Sequence, residues 1–113
     1  MHELAITEGI LSAAVPAAQN AGATRILEIR LKIGELSGVL PAYIQECFDI
    51  VSQGTIAEGA RLSVERIPVS VRCLDCGFEG AIDRKKIRCP RCGGAELRIT
   101  AGREYYVDSL EVE

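Results

Sequence analysis

Four cysteines near the C-terminal end of the chain form two matching hooks, Cys73-Leu74-Asp75-Cys76-Gly77 and Cys89-Pro90-Arg91-Cys92-Gly93, with twelve residues between Cys76 and Cys89. Two residues between paired cysteines let both thiolates reach one ion from a tight turn. The glycine after each pair can take a left-handed conformation, which lets nearby amides point at the sulfurs. Two such hooks offer four soft anionic ligands, the donor set of a closed tetrahedral zinc site. The alternatives are a pair of disulfides or a redox Cys-x-x-Cys, and the duplication with its paired glycines counts against both. A closed four-sulfur site has no open position, so it accounts for stability, and the chemistry of the chain must be sought elsewhere.

That chemistry points to His2, the one histidine of the sequence. A free Met1 amine, the His2 backbone nitrogen and the His2 imidazole can close adjacent small chelate rings around one metal. An amide nitrogen binds only when deprotonated. A strongly polarising ion such as Ni(II) or Cu(II) drives that loss in square-planar geometry, whereas zinc has no planar preference. Glu3 can add a carboxylate or a backbone nitrogen. The Met1 amine is expected to survive in the cell, because initiator methionine is usually removed only before a small second residue. The competing reading is an incidental surface histidine at a chain end.

Other residue types offer less. Cys47 lies on the apolar stripe of an expected helix, where a free cysteine packs as a small hydrophobe, and no second histidine exists to serve it as a base. Gly34-Glu35-Leu36-Ser37-Gly38 lacks the lysine and the spacing of a phosphate loop. The basic run Arg84-Lys85-Lys86-Ile87-Arg88 can touch an acidic partner or form a solvated loop.

The elements that position these groups follow from periodicity. Residues 3–21 read as a helix, with Leu4, Leu11, Val15 and Ala18 at helical spacing, Gly22 as its stop, and Pro16 inside it as the source of a kink. Residues 25–33 alternate as a strand, with Leu27, Ile29, Leu31 and Ile33 facing the core and Glu28, Arg30 and Lys32 facing outward. Pro41 opens a second helix over 41–53, whose stripe is Ile44, Cys47, Phe48 and Val51. Residues 55–60 are loop, 61–71 form a second strand restricted at Pro68 to an edge or a bend, and 96–112 return as a third extended segment. The predicted fold is α+β: two helices on one face of a small three-stranded sheet, with an inserted four-cysteine, zinc-ribbon-like lobe. The predicted division is an α/β domain of residues 1–71 plus 95–113, and a zinc-binding lobe of residues 72–94 inserted before the last strand.

Length and composition bound the function. A chain of 113 residues is one small domain, or one domain with a metal-stapled lobe. The net charge of −3 and the pI near 5.2 do not suggest a nucleic-acid binder. From Cys73 to Cys92 five basic residues (Arg84, Lys85, Lys86, Arg88, Arg91) face three acidic ones (Asp75, Glu79, Asp83), net +2, and Zn²⁺ with four thiolates brings the lobe near neutrality. Glu3 and Glu8 interrupt the first residues, no basic stretch precedes them, and no run long enough to cross a membrane occurs, so neither a signal peptide nor a membrane span is expected. Thiolate hooks without a secretion signal fit a reducing cytoplasm.

Three motifs occur together: Met1-His2-Glu3 at the start, Ile33-Gly34-Glu35-Leu36-Ser37 after the alternating strand, and the two Cys-x-x-Cys hooks. In this combination the chain resembles the HypA/HybF family of hydrogenase maturation factors over essentially its whole length. The resemblance implies a non-enzymatic nickel metallochaperone that binds Ni(II) at Met1, His2 and Glu3 and holds structural zinc at Cys73, Cys76, Cys89 and Cys92. It implies a GTPase maturation factor as partner, and nickel delivery to the large subunit of a [NiFe]-hydrogenase, with urease as a further target. Some members recruit another acidic or histidine side chain to nickel. Here the segment after Glu35 runs Leu36-Ser37-Gly38-Val39-Leu40 without an acid, which leaves Glu35 as the candidate, against a solvated turn residue. The expected assembly is a monomer or a domain-swapped dimer. The runner-up function is a zinc-ribbon module that binds nucleic acid or protein.

Overall fold

The computed structural model describes residues 2–113, with His2 described by its backbone only. Eight elements follow in order: α1 (His2–Asn20), β1 (Ile26–Gly34), α2 (Pro41–Val51), β2 (Arg61–Ile67), β3 (Ser70–Cys73), β4 (Glu79–Ala81), β5 (Leu97–Ala101) and β6 (Tyr105–Val112). They form two three-stranded sheets, ordered β2-β1-β6 and β4-β3-β5. The chain gathers into two compact units. One comprises the residues up to Lys32 with 39–65 and 106–113; the other comprises 33–38 and 66–105.

The first unit holds the two helices. α1 runs unbroken through Pro16, which lies on its exposed side. It ends where Gly22 takes a left-handed φ of 78°, with the Gly22 amide bonded to Gln19 O at 2.9 Å and the Ala23 amide to Ala18 O at 3.0 Å. These two bonds form a Schellman stop, which satisfies carbonyls the helix itself leaves open. The buried line of α1 is Thr7, Ile10, Ala14 and Ala18, and the expected Leu4, Leu11 and Val15 only flank it, half-buried. Thr7 is tolerated in that line because its hydroxyl donates to Leu4 O at 2.9 Å.

α2 packs against α1 and buries Ile44 and Phe48. Gln45 ties it to the next strand, since its amide group donates to Ala60 O at 3.2 Å and accepts the Leu62 amide at 2.8 Å. In β1 the alternation holds over Ile29, Leu31 and Ile33, all buried. It slips at the start of the strand, where Ile26 is buried, its amide donating a hydrogen bond to Ile56 O at 2.8 Å, and Leu27 is 36% exposed. The outward side chains are paired: Arg30 Nε lies 2.9 Å from Glu28, and Lys32 Nζ lies 3.5 Å from Glu65. Glu65, then Asp108, raise the affinity of Lys32 for its proton.

The second unit corrects the reading of residues 61–71 and 96–112 as single extended segments. Each is split, and its two halves lie in different sheets. Pro68 and Val69 separate β2 from β3, because a proline offers no amide to continue a ladder. Gly102, at φ 118°, sits between β5 and β6. The turn after β1 is stitched to both breaks. The Gly34 amide donates to Glu104 O at 2.7 Å, the Glu35 amide to Ile67 O at 3.0 Å and the Leu36 amide to Gly102 O at 2.7 Å. A Cβ on Gly34 would collide with the Gly102 carbonyl, so this position requires glycine.

Candidate metal centres

β3 delivers the first hook. Its antiparallel partners are β4, in the register Arg72↔Glu79, and β5, in the register Cys73↔Leu97. The ladder therefore places Cys73 at the end of a paired strand, where it is 1% exposed. The two hooks then fold alike. The Gly77 amide returns to Cys73 O at 3.0 Å, and the Gly93 amide returns to Cys89 O at 2.8 Å, with Gly77 at φ 79° and Gly93 at φ 75°. A side chain at either glycine would be strained, which is the reason Gly follows each Cys-x-x-Cys. The second hook is anchored by the Cys89 amide on Gly94 O at 2.9 Å, and the first by the Cys73 amide on Phe78 O at 2.8 Å.

This folding brings Cys73, Cys76, Cys89 and Cys92 together, with all four sulfurs within 4.8 Å of one another. The Sγ atoms of Cys73 and Cys92 lie 3.6 Å apart, and those of Cys76 and Cys89 lie 3.5 Å apart. A tetrahedral ion with Zn–S bonds of about 2.3 Å sets its sulfurs at about 3.8 Å, close to these separations. The cysteines are free thiols, not disulfides. Backbone amides surround the sulfurs: Arg91 N and Cys92 N each lie 3.4 Å from Cys89 Sγ, and Gly94 N lies 3.4 Å from Cys92 Sγ.

The electrostatics of the cluster call for a cation. Cys76 is lowered to about 6, first by the Phe78 amide and then by Arg91, whose guanidinium also donates to Cys76 O. Cys92 is pushed up to about 12: the Gly94 amide draws it down, but the neighbouring thiols Cys73, Cys76 and Cys89 outweigh that pull. Four sulfurs this close cannot all ionise in the absence of a positive charge at their centre. A soft dication supplies that charge, and the donor set fits zinc.

The N-terminal group stands differently. Met1 and the His2 side chain lie outside the described residues, while Glu3 is half-buried in the first turn of α1. The first amides of a helix have no intrahelical acceptor, so the backbone nitrogens of this turn are not spent on the helix.

Two other sequence candidates lie outside the cysteine cluster. Glu35 is half-buried and its Oε1 accepts the Val69 amide at 3.0 Å, a long-range bond that local pattern could not reveal. Cys47 is a half-buried free thiol on α2. Glu104 carries no sequence signal of its own. Its Oε1 accepts the Gly102 amide at 2.6 Å, and backbone amides hold its carboxyl below the ordinary value, its own first and then that of Gly102.

Comparison with known proteins agrees with this architecture. A family model described as "Hydrogenase/urease nickel incorporation, metallochaperone, hypA" matches residues 1–112. Hydrogenase maturation factor HypA of Dehalococcoides mccartyi is 42% identical over 113 residues, which cover 100% of this chain and 95% of that protein. The protein of the same name from Geobacter metallireducens is 40% identical over the full length of both. Among solved structures, the solution structure of the Ni metallochaperone HypA from Helicobacter pylori superposes with a TM-score of 0.68 at 20% identity, covering 97% of this chain and 96% of that one. A second, titled solution structure of HypA protein, gives 0.74 at 23% identity and covers 100% of this chain and 97% of that one. At these identities the two structures speak to the fold alone, whereas the family match and the full-length relatives are decisive: the chain belongs to the HypA family of metallochaperones for nickel incorporation in hydrogenase maturation.

Proposed function

We propose that this chain carries Ni(II) at its N-terminus, on the Met1 amine, the backbone and imidazole nitrogens of His2, and Glu3, and that Cys73, Cys76, Cys89 and Cys92 hold a structural zinc. The observation that carries this reading is the closure of the cysteine cluster. All four sulfurs converge on one point, so a transferable ion needs other donors, and His2 is the only imidazole in the sequence. Bound zinc offsets half of the charge of the four thiolates and fixes the two hooks. The N-terminal group has opposite properties. It is nitrogen-rich and suits planar coordination, which nickel favours and zinc does not.

The position at a helix start has a physical cost. The N-terminal end of a helix carries partial positive charge, which opposes a cation. Each amide nitrogen that loses its proton on binding brings a negative charge that offsets this field, and Glu3 adds another. Loading therefore releases protons and is favoured as pH rises. Such a site takes nickel tightly at neutral pH and yields it when a partner supplies competing ligands.

In this reading the chain performs no chemical turnover. It hands nickel to the large subunit of a [NiFe]-hydrogenase, with urease maturation as a further outlet, and works beside a GTPase maturation factor. The family description and the names of the full-length relatives support that assignment. Among the described residues no helix is long and apolar enough to cross a membrane. In this reading the protein works in the cytoplasm, whose reducing conditions keep the four thiolates available to zinc. The experiment is nickel titration of the untagged protein with zinc analysis before and after. One nickel bound per chain with zinc retained supports the two-site reading, and zinc released in proportion to nickel bound contradicts it.

A further inference from the structure

We propose that the loop between β4 and the second cysteine hook is a docking surface for an acidic, partly apolar segment of a partner protein. From Arg84 to Ala95 the chain places five of its 13 basic residues and no acidic one, in a protein whose net charge is −3. Part of this charge offsets the −2 of zinc with four thiolates: Arg91 donates to Cys76 O, and Arg88 is held by Gly93 O at 3.4 Å. Arg84, Lys85 and Lys86 remain. All three are exposed, and their side chains form no ion pair or hydrogen bond among the described residues. The cations of β1 are in a different state, since Arg30 and Lys32 each face a carboxylate.

The loop is also shaped before any partner arrives. Asp83 Oδ1 accepts the Lys85 amide at 2.8 Å, Asp83 O accepts the Lys86 amide at 2.9 Å, and Lys86 O accepts the Arg88 amide at 2.9 Å. These bonds hold the run as a tight turn that ends on the hook at Cys89, so binding has little backbone freedom to remove. Beside it lies a cavity of about 510 Å³, lined by Ala81, Ile82 and Pro90 with Lys86 and Arg88, and with Asp83 already engaged in the turn. Ile87 stands 47% exposed within the basic run. Cations around an apolar recess fit a peptide that alternates carboxylates with an aliphatic side chain. Nucleic acid fits less well, because the loop carries no aromatic side chain on which a base could stack. This surface shares no residue with the proposed N-terminal nickel group, so its failure would leave the nickel reading untouched.

The test uses the zinc-loaded protein and a short fluorescent peptide repeating Glu-Asp-Leu-Glu, read by anisotropy. The comparison probes are a Glu-Asp-Ser-Glu repeat and single-stranded DNA of equal length. The apolar acidic peptide is expected to bind at least about tenfold more tightly than either, and to weaken about tenfold between roughly 50 and 300 mM salt. Replacing Arg84, Lys85 and Lys86 together by Glu is expected to abolish binding with zinc content unchanged, and Ile87→Ser to weaken it severalfold. Should the triple change cost zinc, the pair Lys85→Gln and Lys86→Gln carries the same test. Absence of peptide binding, equal binding of the serine peptide, tighter binding of DNA, or full affinity in the charge variants would each overturn the proposal.

Discussion

Glu35 Oε1 accepts the backbone amide of Val69 at 3.0 Å, across 34 residues of sequence. Val69 is fully buried and follows Pro68, which has no amide of its own, so this carboxylate satisfies the first donor available after the break between β2 and β3. Glu35 is thus engaged in holding the chain where it passes from one sheet to the other. We expect Glu35→Ala to leave nickel stoichiometry unchanged and to lower stability by about 1–3 kcal/mol, the cost of an unsatisfied buried amide. Glu35→Gln keeps an acceptor oxygen and should recover most of that loss. Denaturant unfolding and nickel titration of the two variants separate the roles; lost nickel binding with intact stability would make Glu35 a ligand.

The same junction predicts a steric effect. A methyl group on Gly34 would overlap the Gly102 carbonyl, a backbone atom that cannot rotate away. Gly34→Ala should destabilise the protein by about 1–3 kcal/mol or more, as overpacking does in a closed site. Ala at Gly9, where a Cβ meets nothing within 4 Å, should be neutral or slightly stabilising, since alanine favours a helix interior. Equal melting temperatures for the Gly34 variant and the native protein would contradict the observed stitching.

Glu104 carries a pH signature. Its carboxyl lies below the ordinary value of 4.5 because backbone amides favour the charged form. A group depressed in this way adds stability that is fully present above its ordinary value and is lost as pH falls through the lower folded value. The stability difference between native protein and Glu104→Gln should therefore be greatest above pH 4.5 and shrink below it. Urea unfolding across an acid series reads this directly, and a difference that grows on acidification would contradict it.

Much of this is legible in the sequence because it rests on local rules. The spacing of the cysteines and glycines describes the hooks, the alternation of Ile29, Leu31 and Ile33 describes β1, and Gly22 and Pro41 mark helix ends. The rest depends on partners far along the chain. Pro68 signals a bend, but the transfer of β3 to a second sheet depends on Glu35, Ile67 and Glu104, which no window of sequence brings together. β4, only Glu79–Ala81, is too short to show a period. The buried line of α1 departs from the expected one because alanines at 14 and 18 and a threonine at 7 pack inward while larger aliphatics flank them.

The cysteine cluster predicts a divided response to mutation. Cys73→Ser or Cys92→Ser removes one of four converging sulfurs. Each should lose zinc and unfold the β4-β3-β5 sheet, while α1 and α2 keep much of their helical signal. Zinc analysis with circular dichroism checks this, and full zinc retention with an unchanged melting profile would refute the assignment.

The central claim is that the chain end itself is the nickel ligand. Extending the chain by one residue ahead of Met1 keeps every side chain but moves the amine and breaks the chelate rings. Calorimetry with Ni(II) on the native, extended and His2→Ala proteins tests this most directly. The account predicts one nickel per native chain, affinity that rises with pH as the amine and imidazole lose protons, and loss of specific binding in both variants with the fold intact. Native affinity and stoichiometry in the extended protein would show that the amine is not a ligand and would contradict the proposed mechanism.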